Sequence, residues 1–244
     1  MKILVYLSFL NPFFTFAQTI ESSKAVEKNY LEMETEVFYS EEQSVEMITK
    51  SWNLFNLLVR YGIGKQSELN MSLFNVKENE YFVNNVISNH HQFNHFKIGV
   101  IQNVWEENGK RPELAIQFNV LFPLGDMHEE ANNLGFITSL NFSNSLAKKW
   151  LLNYNVGYIK DIDTVDKYFY IGNLQYTLNQ NLTFFTENTG EYHGDFDWNQ
   201  SIGFGYAYKD WTLEMNVGKG FLSPDFFVGG KIICSLNIKK KTIN

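Results

Sequence analysis

The chain has 244 residues, with 20 Lys and Arg against 27 Asp and Glu, a formal net charge of −7 and one cysteine. An acidic balance without a basic stripe argues against a nucleic-acid partner, and Cys234 alone cannot form an internal disulfide. Hydrophobic residues make up 44% of the chain and aromatics 16%, yet no run beyond the N-terminus approaches the roughly 20 apolar residues of a membrane helix.

Residues 1–17 are expected to be a secretory signal peptide. Lys2 supplies the positive start, Ile3 to Phe16 is mostly apolar, and Ala17 precedes Gln18 at a plausible cut. No cysteine follows that cut, which disfavours a lipid anchor. Residues 18–28 are polar and are expected to form a short disordered lead. Residues 29–238 carry the folded body, and 239–244 are a basic tail.

In the first body segment Leu31, Met33, Thr35, Val37 and Tyr39 alternate with Glu32, Glu34 and Glu36. Three carboxylates on one strand face cannot sit in a dry core unpaired. After a polar loop from Glu41 to Lys50 comes a hairpin, Asn53 to Asn75. Phe55, Leu57, Val59 and Tyr61 share one face of it, Gly62 and Gly64 turn the chain, and Leu69, Met71 and Leu73 resume that face opposite Glu68. Residues 77–92 read as a longer polar segment. Phe96, Ile98, Val100 and Val104 then oppose His95, Lys97, Gly99 and Asn103, and Leu114, Ile116, Phe118, Val120 and Phe122 oppose Glu113, Gln117 and Asn119. The same period of two recurs from Phe136 to Phe142, Trp150 to Tyr158 (opposite Asn155), Tyr170 to Tyr176, Leu182 to Glu187, Ile202 to Tyr208, Leu213 to Val217 (opposite Glu214) and Phe226 to Leu236 (opposite Lys231). Period-two alternation of apolar and polar residues is the strand signal.

About twelve strands follow, joined alternately by short turns and by longer, more polar loops. This predicts an all-β chain: a single antiparallel up-and-down transmembrane β-barrel, with short turns at one rim and long loops at the other. The five tryptophans fall at strand ends, so Trp52, Trp105, Trp150, Trp198 and Trp211, with Tyr61 and Tyr158, are the expected membrane-interface aromatics. A soluble β-sandwich or lipocalin-like barrel gives similar alternation. Against it stand the consistent placing of large apolar residues opposite carboxylates and Asn, four prolines in the whole chain, and a secretion signal without disulfides.

In the barrel reading Glu32, Glu34, Glu36, Arg60, Glu68, Lys97, Glu113, Asn119, Asn155, Glu187, Glu214 and Lys231 project into one lumen. They either line an open, net acidic pore that selects the solute, or pair across a barrel filled by side chains. Arg60 beside Glu68 across the hairpin suits a structural pair in both cases. His90, His91 and His95 have metal-like spacing, but adjacent histidines on a strand face opposite ways and no Cys joins them. Asp195 and Asp197 near His193 read as a solvated outer loop, with calcium the alternative. A lipid hydrolase would need a positioned Ser and His, and no Gly-x-Ser-x-Gly elbow occurs. A non-conducting barrel acting through its loops is a third class, disfavoured by modest loop lengths. No cofactor and no enzymatic activity is expected.

The hairpin Leu58-Val59-Arg60-Tyr61-Gly62-Ile63 with Glu68-Leu69 resembles the hallmark hairpin of the outer-membrane transporter family named after the MetA pathway of phenol degradation. Phe122-Pro123-Leu124-Gly125, Tyr154-Asn155-Val156-Gly157 and Asp225-Phe226-Phe227-Val228-Gly229 resemble further family segments, in order. Two features depart from the pattern: Asn94-His95 stands where the family usually has Gly-Asp, and the chain ends on Ile243-Asn244 rather than an aromatic. The resemblance implies a bacterial outer-membrane barrel that passes small compounds, hydrophobic or aromatic ones among them. Its partners would be outer-membrane lipid, the barrel-assembly machinery and the solute itself.

Overall fold

The computed structural model describes residues 20–43, 47–82, 85–124, 134–160, 166–221 and 226–238. The expected signal peptide and basic tail lie outside the described residues. Twelve strands close into one antiparallel barrel: β1 (Tyr30–Gln43), β2 (Met47–Gly62), β3 (Ser67–Phe82), β4 (Asn85–Trp105), β5 (Glu113–Pro123), β6 (Gly135–Ala147), β7 (Trp150–Lys160), β8 (Lys167–Thr177), β9 (Leu182–Tyr192), β10 (Phe196–Tyr208), β11 (Trp211–Gly220) and β12 (Phe226–Asn237). Each strand pairs with its sequence neighbour. β12 returns to β1 in a continuous seam from Tyr30 opposite Asn237 to Glu41 opposite Phe226. Closure leaves no free sheet edge, which is what a sheet surrounded by hydrocarbon requires.

The barrel is inside-out relative to a soluble protein. Val100, Ile116, Phe118, Val156, Phe184, Ile202, Met215 and Ile232 are all exposed, whereas Glu68, Asn119, Asn141 and Asn155 are almost wholly buried. An exposed apolar belt of this extent marks a lipid-facing surface, not a water-facing one. Few apolar residues pack inside: Ile159, Phe169 and Ile171 form one small cluster, with Ile20 and Ile137 against it.

The structure corrects the sequence reading in three places. The polar stretches Glu41 to Lys50 and 77–92 are strand and not loop wherever they are described: β1 runs to Gln43, β2 starts at Met47, β3 runs to Phe82 and β4 starts at Asn85. A hairpin that clears the membrane meets water on both faces, so its polar residues carry no alternation to read. Phe55 does not share the face of Leu57, Val59 and Tyr61. It sits in a bulge at φ 57°, while Leu54 pairs with Val37 and Asn56 with Glu36, so the outward row continues through Leu54 and Trp52. Trp52 consequently lies inside β2, with Trp105, Trp150 and Trp211 at the ends of their strands.

The third correction is the N-terminal lead. Residues 20–28 are not disordered; they run inside the barrel. Asn29, in the left-handed region at φ 68° that Asn tolerates better than most residues, turns the segment into β1. Its N–H donates to Gly62 O at 3.0 Å, and Ile238 N–H donates to Asn29 O at 2.8 Å. Gly62 is required by this passage, since a Cβ there would lie 2.0 Å from Glu27 O and 2.4 Å from Val26 O.

Candidate functional site

The internal segment is held by side chains that the strands aim inward. Val26 N–H donates to Glu68 Oε2 on β3. Ser23 Oγ donates to Glu113 Oε1 at 3.0 Å, and Asn103 Nδ2 donates to Ser23 O at 3.0 Å. Glu21 is held by Gln117 at 3.2 Å and Lys97 at 3.8 Å, and it exchanges two backbone hydrogen bonds of 3.1 Å with the Asn155 amide. Asn155 Nδ2 also donates to Asn141 Oδ1 at 2.7 Å, and Ser139 Oγ donates to the same oxygen at 2.8 Å. Each contact satisfies a polar group that would otherwise be desolvated without a partner. Glu68, Lys97, Glu113 and Asn155, four of the expected lumen residues, thus grip the segment along the β3–β7 wall.

Beside the segment a cavity of about 370 Å³ remains. Eight glutamates line it: Glu21, Glu32, Glu34, Glu36, Glu107, Glu113, Glu187 and Glu214. The cations are Lys24, Arg60 and Lys231, so the lining is net acidic. Arg60 binds Glu68 through Nε at 2.8 Å and Glu32 through Nη1 at 3.0 Å, tying β1, β2 and β3 together at the short-turn end. Lys231 lies 3.0 Å from Glu214 and 3.6 Å from Glu34. Glu36 and Glu187 are held by neutral groups instead: Glu36 accepts from Asn56, and Glu187 accepts from Asn173 at 3.1 Å and from the Ile20 N–H. Both carboxyls face the cavity, and neither has an ion pair among the described residues.

At the short-turn mouth Glu107 accepts from the Ser145 hydroxyl and the Ser145 N–H, both at 2.7 Å. The hydroxyl bond first, then the backbone bond, hold its carboxyl below the usual carboxylate range.

Of the remaining expected residues, Asn119 is fully buried on the β5 wall and belongs to the segment side of the lumen, not to the cavity. Trp52, Trp150 and Trp211 are exposed on the outer surface, as is Tyr61. Trp105 donates through Nε1 to Pro112 O at 2.8 Å, Tyr158 donates to Asp166, and Trp198 stacks on Phe221 at 3.6 Å between centroids. His95 lies tilted against Phe74, with ring centroids 4.6 Å apart. The backbones of His90 and His91 lie in β4, and their side chains lie outside the described residues. No metal-binding group of three His, Cys, Asp or Glu occurs among the described residues.

Sequence reasoning missed two sets of residues. The first is the internal segment itself. The second is a polar network on the outer face of β8–β10, where Tyr170 OH donates to Asn188 Oδ1 at 2.6 Å, Asn188 Nδ2 to Gln200 Oε1 at 3.2 Å, and Gln200 Nε2 to Thr186 Oγ1 at 2.6 Å. The register signals it: Gln200 pairs directly with Asn188, so two outward amides meet on one lipid-facing patch and satisfy each other.

Closed twelve-strand topology, an apolar outer belt and a polar lumen define an outer-membrane β-barrel. The sequence matches the family described as "Putative MetA-pathway of phenol degradation" over residues 17–236, and the chain belongs to that family. Among solved structures, an outer membrane channel of the COG4313 group from Pseudomonas putida F1 superposes with a TM-score of 0.71 at 10% identity, covering 90% of this chain and 100% of that one. The KdgM porin in complex with disordered oligogalacturonate gives 0.52 at 12% identity, covering 82% and 99%. A deletion mutant of the TodX monoaromatic hydrocarbon channel gives 0.50 at 9% identity, covering 88% and 91%. At these identities the likeness is one of fold. Comparison with curated protein sequences finds no match. The protein is a bacterial outer-membrane barrel of porin-like architecture.

Proposed function

We propose that this barrel is a passive, non-enzymatic channel for small solutes, narrowed from within by residues 20–28 and biased toward cations by its lining. The observation that carries this reading is the acid-lined cavity of about 370 Å³ beside the internal segment. Eight carboxylates against three cations raise the local concentration of positive ions and repel anions in a site walled by low-dielectric lipid. A volume of this size admits ions and small molecules, not polymers. The solved neighbours include a channel named for monoaromatic hydrocarbons and a porin in complex with oligogalacturonate. The amide-rich and carboxylate-rich lining here supports polar solutes better than bare hydrocarbons.

The test is single-channel recording of the refolded protein in a planar bilayer under a KCl gradient, with heat-modifiable gel mobility as the folding control. The expected result is stepwise conductance with a cation-leaning reversal potential, moved toward zero by the triple variant Glu32→Gln, Glu34→Gln, Glu36→Gln. Folded protein that stays silent, or an unchanged reversal potential in the triple variant, overturns the proposal. A silent barrel would instead fit a scaffold acting through its outer loops.

A further inference from the structure

The β3–β5 wall under the internal segment carries polar groups that the segment does not use. Asn70, Ser72 and Asn119 are 4%, 3% and 0% exposed. Both polar atoms of Asn70, both of Asn119 and the Ser72 hydroxyl find no hydrogen-bond partner among the described residues. Buried side-chain amides without partners are rare, so a cluster of them calls for a physical explanation. Here three adjacent residues share the property.

Their register makes them one strip. Asn70 pairs with Gly99, and Gly99 pairs with Asn119, so the three positions form a row across β3, β4 and β5. Ser72 is one inward position along from Asn70, directly opposite Lys97. Gly99 leaves the middle of the row open at backbone level: a Cβ there would lie 2.1 Å from Asn119 Oδ1, so the Asn119 amide leans across the glycine toward Asn70. The anchors of the internal segment bracket this strip without touching it. Glu68, two residues before Asn70, binds Val26, and Gln117, two residues before Asn119, binds Glu21.

We infer that this strip is a recognition subsite for a small, neutral, polyhydroxylated solute, engaged when residues 21–26 move off the wall. The inference rests on the channel reading above and names a solute class for it. The chemistry follows from the donor and acceptor inventory. Two carboxamides and a hydroxyl each donate and accept, and none carries charge. Their complement is a molecule whose neighbouring groups also both donate and accept, which is the pattern of adjacent hydroxyls. An anion would leave the amide oxygens unpaired, a cation would leave the amide N–H groups unpaired, and a hydrocarbon would pair none of them. Lys97, held on one side by Glu21 at 3.8 Å, extends the strip by one further donor once Glu21 moves away.

Liposome swelling with the full-length processed protein tests this, using ribitol against triethylene glycol, two neutral solutes of nearly equal mass. Ribitol offers a run of adjacent hydroxyls, whereas the middle of triethylene glycol only accepts. The expected ratio of ribitol to triethylene glycol flux is roughly threefold to tenfold, the worth of one or two net hydrogen bonds. In Asn70→Leu/Asn119→Leu the ratio should fall to near one. Ser72→Ala, which removes a single hydroxyl, should lower the ratio part of the way and serves if the double variant does not fold. Because the readout is a ratio within one preparation, the fraction of open channels cancels. A ratio near one in the wild type, or an unchanged ratio in both variants, overturns the subsite while a KCl conductance leaves the channel reading standing. Absence of both KCl and solute flux through folded protein overturns the two together.

Discussion

Replacing Gly62 with alanine is the sharpest perturbation of the internal segment. The new Cβ would sit 2.0 Å from Glu27 O, where ordinary contact begins at 3.4 Å, a shortfall of 1.4 Å (3.4 less 2.0). Gly62 belongs to a ladder paired with Glu68 on β3, so the backbone at 26–27, which lies outside the strand ladders, is the side that yields. Moving it by that distance disrupts two bonds: Asn29 N–H to Gly62 O, and the charge-assisted Val26 N–H to Glu68. At about 1 kcal/mol for the first and about 2 for the second, docking of the segment weakens by roughly 3 kcal/mol. That raises the population of the undocked state by roughly two orders of magnitude. Planar-bilayer recordings should show longer or larger openings than the wild type, with heat-modifiable mobility retained. Wild-type conductance and open probability in a folded Gly62→Ala barrel would refute the reasoning, because the segment would then have no hold on the path.

Glu68→Ala removes the partner of Arg60 and of the Val26 amide at once; it should cost about 3 kcal/mol, read as a lower denaturant midpoint in detergent, while Glu32 keeps half of the Arg60 pairing. The Glu107 carboxyl, depressed by its bonds to Ser145, contributes stability that is fully present above the ordinary carboxylate pKa and lost as pH falls through the lower folded value. Thermal unfolding followed from pH 7 down to pH 3 should therefore fall more steeply in the wild type than in Glu107→Gln; identical slopes would remove the turn from the acid response. Brominated lipids should quench the exposed Trp150 and Trp211, and each single Trp→Phe variant at those positions should lose that residue's share of the quenched fluorescence. Quenched fluorescence undiminished from the wild type in both variants would move the lipid boundary elsewhere.

How far the sequence spoke follows from where water and lipid touch the chain. Strands such as β5 and β7 border lipid on one face and a polar lumen on the other, so Leu114 to Phe122 alternate cleanly and can be read by eye. The carboxylates of β1 were legible for the same reason, as a polar row opposite an apolar one. Where both sides are alike the pattern vanishes: Lys77 to Phe82 and Asn85 to Gln92 lie in extended strands that the alternation could not reveal. Phe55 was misplaced because a bulge shifts the register by one residue, and period-two counting has no means of seeing it. The internal segment was the hardest to find. Ser22-Ser23-Lys24 has the composition of a linker, and its partners, from Glu68 to Glu187, are scattered along the barrel, so nothing local records that it is enclosed.

That enclosure constrains the order in which the barrel can be made. Residues 20–28 precede β1, and β1 is joined to β12, the last strand synthesised, along a seam that runs from Tyr30 to Glu41. A segment tethered at Asn29 beside that seam must already lie on the lumen side when the two strands meet. Otherwise it would have to thread a finished mouth past the Arg60 and Glu68 side chains. Residues 20–28 therefore act as a former around which the curved sheet is drawn shut. A defect in their fit would show first as a barrel that closes slowly, before it shows as one that conducts differently.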